Sequence, residues 1–308
     1  MTELILHHYP QSPVSEKVRV VLGLKGLSWR SVEIPRLPPK PDLMPLTGGY
    51  RMTPVMQLGA DVYCDSQCII REIERRFPEP TLYPGGGAGM PWGISRWTDG
   101  PLFTAVIALV FDDAGDDLPP DFAADRGPLY FGPDYDMAAI TACLPETLAT
   151  LRAQIGWIEE RMASGRAFIL GDRPALPDAL CYYLVWFIRG RYSKGPDFLA
   201  QFPHLCAWEE RVKAIGHGTP TDMSAAEALD IAHGAETATA EAADAGDPLG
   251  LAPGDPVEVF PDSIADAPRV RGQVRAVDAQ GIAILRADPK VGTVAVHFPR
   301  VGYRITRV

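Results

Sequence analysis

The chain has 308 residues, a formal net charge of −10 and five cysteines. This length is sufficient for two domains and a third small element. The acidic balance argues against nonspecific nucleic-acid binding, and no apolar run is long enough to span a bilayer, so we expect no nucleic-acid partner and no membrane partner. The cysteine spacing fits neither a disulfide framework nor a zinc site, and we expect no metal.

The N-terminus enters a strand pattern directly, without the basic segment and long apolar stretch of a secretory signal, which indicates a cytoplasmic protein. The charge is unevenly placed along the chain. Residues 219–249 hold seven Asp and Glu but no Lys or Arg, whereas residues 250–308 hold six acidic and eight basic residues. We therefore predict an acidic, Ala-rich linker over 219–249, with one short helix near Ala225 to His233 followed by a mobile strap.

The first 84 residues have the pattern of a thioredoxin-like α/β domain. A strand over residues 4–9, a helix over 15–24 and a strand over 29–34 form a βαβ unit. A hairpin and an amphipathic helix follow between residues 53 and 77. The Pro-rich connection 35–49 is predicted to contain no long regular element.

Two features of the hairpin region indicate a binding site. Pro54 opens a strand although proline cannot donate to a ladder, so it is a candidate for a cis peptide bond facing something other than a neighbouring strand. Asp65 and Ser66 stand at the predicted helix N-terminus, where exposed N–H groups could hold a carboxylate and the Asp65 side chain an amine. On these two residues alone, ordinary helix capping is the simpler interpretation.

Residues 90–218 are predicted to form an all-helical domain. Long apolar-periodic stretches run over 94–111 and 138–163, and residues 180–188 are apolar nearly all round, as in a helix buried in a bundle. This part also supplies a set of large aromatic side chains that could line a pocket or form core: Trp92, Trp97, Phe103, Phe111, Tyr130, Phe131 and Trp186.

Ser12-Pro13 precedes Lys17-Val-Arg19, and Pro54 is followed eleven residues later by Asp65-Ser66. This spacing of motifs resembles the cytosolic glutathione transferase family. The resemblance covers residues 3–84 well and 90–218 loosely, and is closest to the serine-using tau and zeta branches. In the later segment that starts the buried helix, this chain departs from the family pattern: Ala175 stands at the serine position and Pro177 replaces alanine.

The resemblance implies a role for each matching residue. Ser12 would donate a hydrogen bond to the glutathione thiolate, with Ser15 and Tyr9 as alternative hydroxyls. The residues implied to bind the tripeptide are Thr53, Pro54, Asp65, Ser66, Lys40 and Arg51. For Lys40 and Arg51, expected at the glycine carboxylate, a solvated loop charge is an equal alternative.

The resemblance also implies an activity and partners. Glutathione would be the co-substrate, added as a thiolate to an apolar, electrophilic small molecule bound between the two domains, in a homodimer. A noncatalytic binding or assembly protein of the same fold is the first alternative, because a fold does not guarantee its chemistry. A zeta-like isomerase is the second, although the Ser-Ser-Cys motif of that branch is absent.

Residues 250–308 lie beyond this resemblance. Five short strand patterns separated by turns predict a small all-β, SH3-like barrel: 257–260, 270–276, 282–286, 293–298 and 303–308. A core of this size is marginal alone, so we expect this region to pack against the transferase body. A stabilising or dimer-bridging role is the simpler interpretation of its balanced charge.

Overall fold

The structure is a computed structural model that describes residues 3–264 and 267–308. It contains two compact units. The first comprises the described parts of residues 1–18, 27–76 and 219–308, and the second comprises residues 19–26 and 77–218. The first and last parts of the chain therefore fold together in one unit.

The strands belong to the first unit and form a single ten-stranded sheet within the described residues. In chain order they are β1 (Ile5–His8), β2 (Ser28–Glu33), β3 (Val55–Leu58), β4 (Asp61–Cys64), β5 (Thr219–Asp222), β6 (Pro256–Pro261), β7 (Val270–Val277), β8 (Gly281–Asp288), β9 (Gly292–Pro299) and β10 (Tyr303–Arg307). Their order across the sheet is β10-β6-β7-β8-β9-β4-β3-β1-β2-β5.

The α-helices of the described residues are α1 (Pro13–Leu24), α2 (Met44–Thr47), α3 (Ser66–Arg76), α4 (Gly89–Trp97), α5 (Phe103–Ala114), α6 (Pro120–Phe131), α7 (Met137–Ala142), α8 (Leu144–Ala163), α9 (Leu176–Arg191), α10 (Gly195–Ala200), α11 (Pro203–Lys213) and α12 (Ala225–His233). None of them has the length and apolarity needed to cross a membrane.

The N-terminal strands have the predicted thioredoxin-like arrangement. β1 and β2 pair in parallel through the α1 crossover, and β1 also pairs antiparallel with β3. β3 and β4 form the predicted hairpin, whose turn includes Gly59 at φ 63°. α3 follows directly, with Ile69, Ile70 and Ile73 buried on one face. The Pro-rich connection contains a single four-residue helix, α2, in agreement with the prediction.

The five C-terminal strands are present close to their predicted positions, and they continue the N-terminal sheet. β9 pairs in parallel with β4, with Val62 opposite Val296. An unpaired β4 would leave a row of open N–H and C=O groups at a sheet edge, and β9 covers that edge. Val62, Val296 and Ile284 are fully buried in the same apolar core. The sequence predicted packing of this region against the body, but not a shared sheet.

The acidic segment begins with β5, a strand that the sequence did not predict and that pairs in parallel with β2. It continues with the predicted helix α12, which is capped by Ser224 and Glu227. The segment that follows was predicted to be a mobile strap, but it is anchored to β4. The buried Asp61 carboxylate accepts hydrogen bonds from the backbone N–H of Ala238 at 2.7 Å and from the hydroxyls of Thr237 and Thr239. A buried carboxylate needs such donors, and this polar segment supplies them.

The second unit is helical in its described residues, as predicted, but two predicted long helices are interrupted. A π-helical turn at Thr98–Leu102, with Gly100 outside helical φ and ψ, separates α4 from α5. Cys143 separates α7 from α8, whose first turn contains Pro145. Proline is tolerated in the first turn and not in the interior of a helix, which explains where α8 begins.

The buried helix α9 starts at Leu176 with Ala175 as its N-cap residue and Asp178 in its first turn, despite the departures from the family pattern at Ala175 and Pro177. The Asp178 carboxylate accepts from the backbone N–H groups of Ile169 and Ala175 at 2.9 and 2.8 Å and from the Trp208 indole at 2.8 Å. Burial raises the pKa of this carboxyl, although these donors oppose the rise. The aspartate thus retains its capping function without a serine partner.

Candidate functional site

Three chain segments of the first unit meet at one end of the sheet. His7 in β1 lies opposite Val55 in β3, and Val55 lies opposite Cys64 in β4. The chain leaving β1, the chain entering β3 and the chain leaving β4 are therefore neighbours. These three segments contain most of the residues that the sequence identified.

Ser12 is the residue at the start of α1. Its Oγ accepts a hydrogen bond from the backbone N–H of Ser15 at 3.1 Å, and its own N–H donates to the Tyr9 carbonyl. Ser12 is buried and lies at the positive end of the helix dipole. Ser15 Oγ is also buried and has no hydrogen-bond partner within the described residues. The Ser12 oxygen caps the helix, while its proton is not used by that bond.

The Thr53–Pro54 peptide bond is cis, which confirms the sequence prediction for Pro54. The loop before it is held by Lys40, whose side chain is 1% exposed. Lys40 Nζ donates to the Arg51 carbonyl and to Thr53 Oγ1, both at 3.0 Å, and lies 5.9 Å from the centroid of the Tyr9 ring. Lys40 is thus a buried support of this loop and not a solvated loop charge. Arg51 is half-buried.

Asp65 joins β4 to α3 in the left-handed conformation, with φ 75°. Aspartate tolerates this region better than most residues, and the conformation turns the chain sharply into the helix. Asp65 Oδ1 accepts from the backbone N–H of Gln67 at 2.8 Å, so Asp65 is the cap of α3. Ser66, the first helical residue, is buried. The capping role is observed, and the second carboxylate oxygen is directed elsewhere.

That second oxygen contacts a residue that the sequence did not indicate. The Tyr303 hydroxyl, in β10, lies 3.1 Å from Asp65 Oδ2 and 3.2 Å from the Tyr50 hydroxyl. The rings of Tyr50, Tyr303 and Phe298 pack together, with centroids 5.6 to 6.4 Å apart. Nothing in the local pattern of residues 303–307 distinguishes this tyrosine from an ordinary strand residue, so sequence reasoning had no signal for it.

The aromatic residues expected near an electrophile lie in the second unit. Phe111 is at the centre of a cluster with Phe122, Tyr130 and Phe131, at centroid distances of 5.5 to 6.1 Å. Phe111 itself is buried, so at least this aromatic is core. No group of three or more His, Cys, Asp or Glu side chains suited to a metal ion occurs in the described part of the chain.

A thioredoxin-like domain with a serine at its first helix, a cis-proline loop and an acid-serine helix start, followed by a helical domain, is the architecture of a glutathione transferase. The models for the glutathione S-transferase N-terminal domain and C-terminal domain match residues 6–81 and 141–211. A probable glutathione S-transferase of Oryza sativa subsp. japonica, GSTU6, is 31% identical over 212 residues, which are 66% of this chain and 81% of the rice protein. The chain belongs to the glutathione transferase family.

One solved structure extends the similarity to the C-terminal strands. A GST-like protein from Pseudomonas syringae is 34% identical, with a TM-score of 0.79 and 100% of both chains covered. FzlA from C. crescentus is 22% identical, with a TM-score of 0.53, covering 69% of this chain and 88% of its own, and shares the fold. The full coverage of the Pseudomonas protein shows that this chain and that relative are alike over their whole length.

Proposed function

We propose that this protein binds glutathione at the end of the sheet where β1, β3 and β4 meet, stabilises its thiolate with Ser12 and transfers it to an apolar, electrophilic small molecule. The observation that carries the proposal is the hydrogen bonding of Ser12. Its Oγ is engaged as an acceptor by the Ser15 N–H, so its hydroxyl proton is left to donate.

The main requirement for conjugation is a hydrogen-bond donor to the glutathione sulfur. The thiol of glutathione is mostly protonated at neutral pH, and a hydrogen bond from a buried hydroxyl favours the thiolate. The α1 dipole adds to this stabilisation. The thiol proton leaves to solvent and the sulfur lone pair forms the new S–C bond. In a substitution the leaving group departs with its bonding electrons, and in an addition the carbon skeleton takes up a proton.

The remaining loops would hold the peptide. The backbone of Thr53 beside the cis Pro54 would pair with the cysteinyl unit as an added strand would. Asp65 would receive the γ-glutamyl ammonium, and the N-terminus of α3 at Ser66 its carboxylate. Lys40 and Arg51 are proposed near the glycine carboxylate, with Lys40 acting chiefly through the loop that it supports.

Three further features belong to the proposal. The protein is a cytoplasmic homodimer, for which sedimentation at micromolar concentration should give twice the 33.5 kDa of one chain. The electrophile binds against aromatic residues of the helical unit. The C-terminal strands form a small SH3-like barrel, supported by the antiparallel succession from β6 to β9 and the return of β10 to β6.

A thermal-shift titration of the full chain with glutathione tests the function. Ligand at one hundred times its Kd should add about 2.7 kcal/mol to the free energy of unfolding. Conjugation is then followed with a panel of electrophiles. An absent shift at millimolar glutathione would refute the proposal, and a shift without turnover of the panel would favour the noncatalytic alternative.

A further inference from the structure

The Tyr303 hydroxyl joins the last strand of the protein to the predicted glutathione site. Tyr303 lies in β10, 238 positions after Asp65, and its oxygen is 3.1 Å from Asp65 Oδ2. Both residues belong to the first compact unit. We propose that Tyr303 is a positioning residue for glutathione binding, through which the C-terminal strands hold the Asp65 carboxylate in the orientation that receives the γ-glutamyl ammonium. This inference rests on the proposed function.

The direction of the hydrogen bond follows from the chemistry of the groups. A carboxylate can only accept, and a phenol has one proton, so the Tyr303 proton goes to Asp65. The Tyr50 hydroxyl, 3.2 Å away, can in turn donate to the Tyr303 oxygen. Burial and the negative charge of Asp65 raise the pKa of Tyr303 well above its usual range, so that the phenol keeps its proton.

The two carboxylate oxygens of Asp65 thus accept hydrogen bonds from one donor that is close in the sequence and from one that is distant. Oδ1 is held by the N–H of Gln67 at 2.8 Å and Oδ2 by Tyr303. Each carboxylate oxygen has two acceptor positions, so neither of these two bonds by itself fills the oxygen that accepts it. Aspartate has a shorter side chain than glutamate and therefore a shorter reach to a bound amine. A donor that fixes the rotation of the Asp65 carboxylate compensates, because fewer carboxylate orientations have to be given up when the amine binds.

The position of Tyr303 is itself well supported. Its ring packs against Phe298 at 5.6 Å and Tyr50 at 6.4 Å between centroids. The turn that precedes β10 also reaches α3, since Gln67 Nε2 lies 3.4 Å from the Val301 carbonyl. The segment is therefore attached to the start of α3 at two points, and one of them is the candidate ligand of the amine.

The test compares glutathione with glutaryl-cysteinyl-glycine, which is glutathione without its α-amino group. Calorimetry on the full chain should show that Tyr303→Phe raises the Kd for glutathione about three- to tenfold, as expected when one hydrogen bond is lost. The Kd for the desamino analogue should change less than twofold, because that ligand has no ammonium for Asp65. Tyr135→Phe, which removes a phenol hydroxyl from the helical unit, should alter neither.

The combination with Asp65 gives a second measurement. In an Asp65→Asn background, Tyr303→Phe should have no further effect on glutathione binding. An unchanged Kd in Tyr303→Phe, or an equal loss for both ligands, would overturn the inference, the latter by showing a merely structural role. A wild-type protein that binds no glutathione would refute the proposed function and this inference with it.

Discussion

The Asp61 carboxylate in β4 and the His297 imidazole in β9 lie 3.1 Å apart, although 236 positions separate them in the sequence. The His297 ring also stacks on Tyr63, with centroids 4.2 Å apart. Thr239 contacts both Asp61 and His297. One buried carboxylate thus connects the N-terminal hairpin, the acidic segment and the C-terminal strands.

Asp61 should make stability depend on pH in the acid range. Burial alone raises its pKa, but the hydrogen bonds from His297, Thr239 and Ala238 outweigh this and bring the pKa to about 2. A carboxyl with a folded pKa below its unfolded value of about 4 stabilises the protein above that value and loses its contribution as the pH falls toward 2. The contribution is about 2 kcal/mol at neutral pH.

Replacement of this carboxylate provides the measurement. Denaturant unfolding should show that Asp61→Asn is less stable than wild type at pH 7. The difference in the free energy of unfolding between the two proteins should become smaller between about pH 4 and 2. Glu236→Gln, at an exposed residue of the acidic segment, is the control. A gap that stays constant over this range would show that Asp61 does not titrate as its contacts indicate.

Variants of Ser12 and Ser15 test which serine hydroxyl donates the hydrogen bond to the glutathione thiolate. Ser12→Ala should raise the pH at which the absorbance of bound thiolate appears and cut conjugation by about two orders of magnitude, with glutathione affinity nearly unchanged. It should also cost about 1 kcal/mol of stability, because Ser12 caps α1.

Ser15→Ala is the matched control for Ser12. The Ser15 hydroxyl has no partner within the described residues, so its removal should be neutral or slightly stabilising. Ultraviolet pH titrations of both variants with bound glutathione make the comparison. If the thiolate titration moved in Ser15→Ala and not in Ser12→Ala, the assignment would pass to Ser15.

Asp65→Asn separates the two roles of Asp65. The amide oxygen can still accept from the Gln67 N–H, so the cap of α3 is retained, whereas the negative charge is lost. Glutathione binding should weaken by about 1.5–3 kcal/mol, the range for a charge-assisted hydrogen bond, while the melting temperature changes little. If calorimetry gave an unchanged Kd for glutathione, Asp65 would serve only as the cap of α3.

Lys40→Met tests whether this lysine supports the loop or binds glycine. The substitution leaves the Arg51 carbonyl and the Thr53 hydroxyl without their donor, and should lower stability by about 1–3 kcal/mol. A role through the loop predicts equal losses of affinity for glutathione and for γ-glutamylcysteine, which has no glycine. A loss confined to glutathione would instead indicate direct contact with the glycine carboxylate.

Ile284→Ala tests whether the C-terminal strands unfold with the rest of their unit. Ile284 in β8 is fully buried, and its truncation should cost about 2–5 kcal/mol. Val308→Ala, at a residue 65% exposed, should change stability by no more than about 0.5 kcal/mol. When urea unfolding is monitored near the Tyr50 and Tyr303 cluster, the midpoint of the transition should be lower for Ile284→Ala than for wild type. If Ile284→Ala instead lowered the midpoint of a second transition only, separate from that of the rest of the unit, the C-terminal strands would be an independent domain.

The sequence alone determined the family and most of the element types, although it did not indicate β5. Alternation and helical periodicity are local properties, so the strands between 256 and 307 and the helix at 225–233 could be placed without a structure. The proline before β3 and the acid-serine pair after β4 were recognised by spacing, and the cis bond at Pro54 followed.

Only the tertiary structure decided which surfaces these elements share. A strand pattern shows that one face is buried but not against what, so the pairing of β4 with β9 had no local signal. The same holds for single contacts: the donors to Asp61, the burial of Lys40 and the Tyr303 hydroxyl at Asp65 depend on residues brought together from distant parts of the chain. Hydrogen bonds of this kind act within about 3 Å, and that proximity is set by the packed sheet and not by spacing in the sequence.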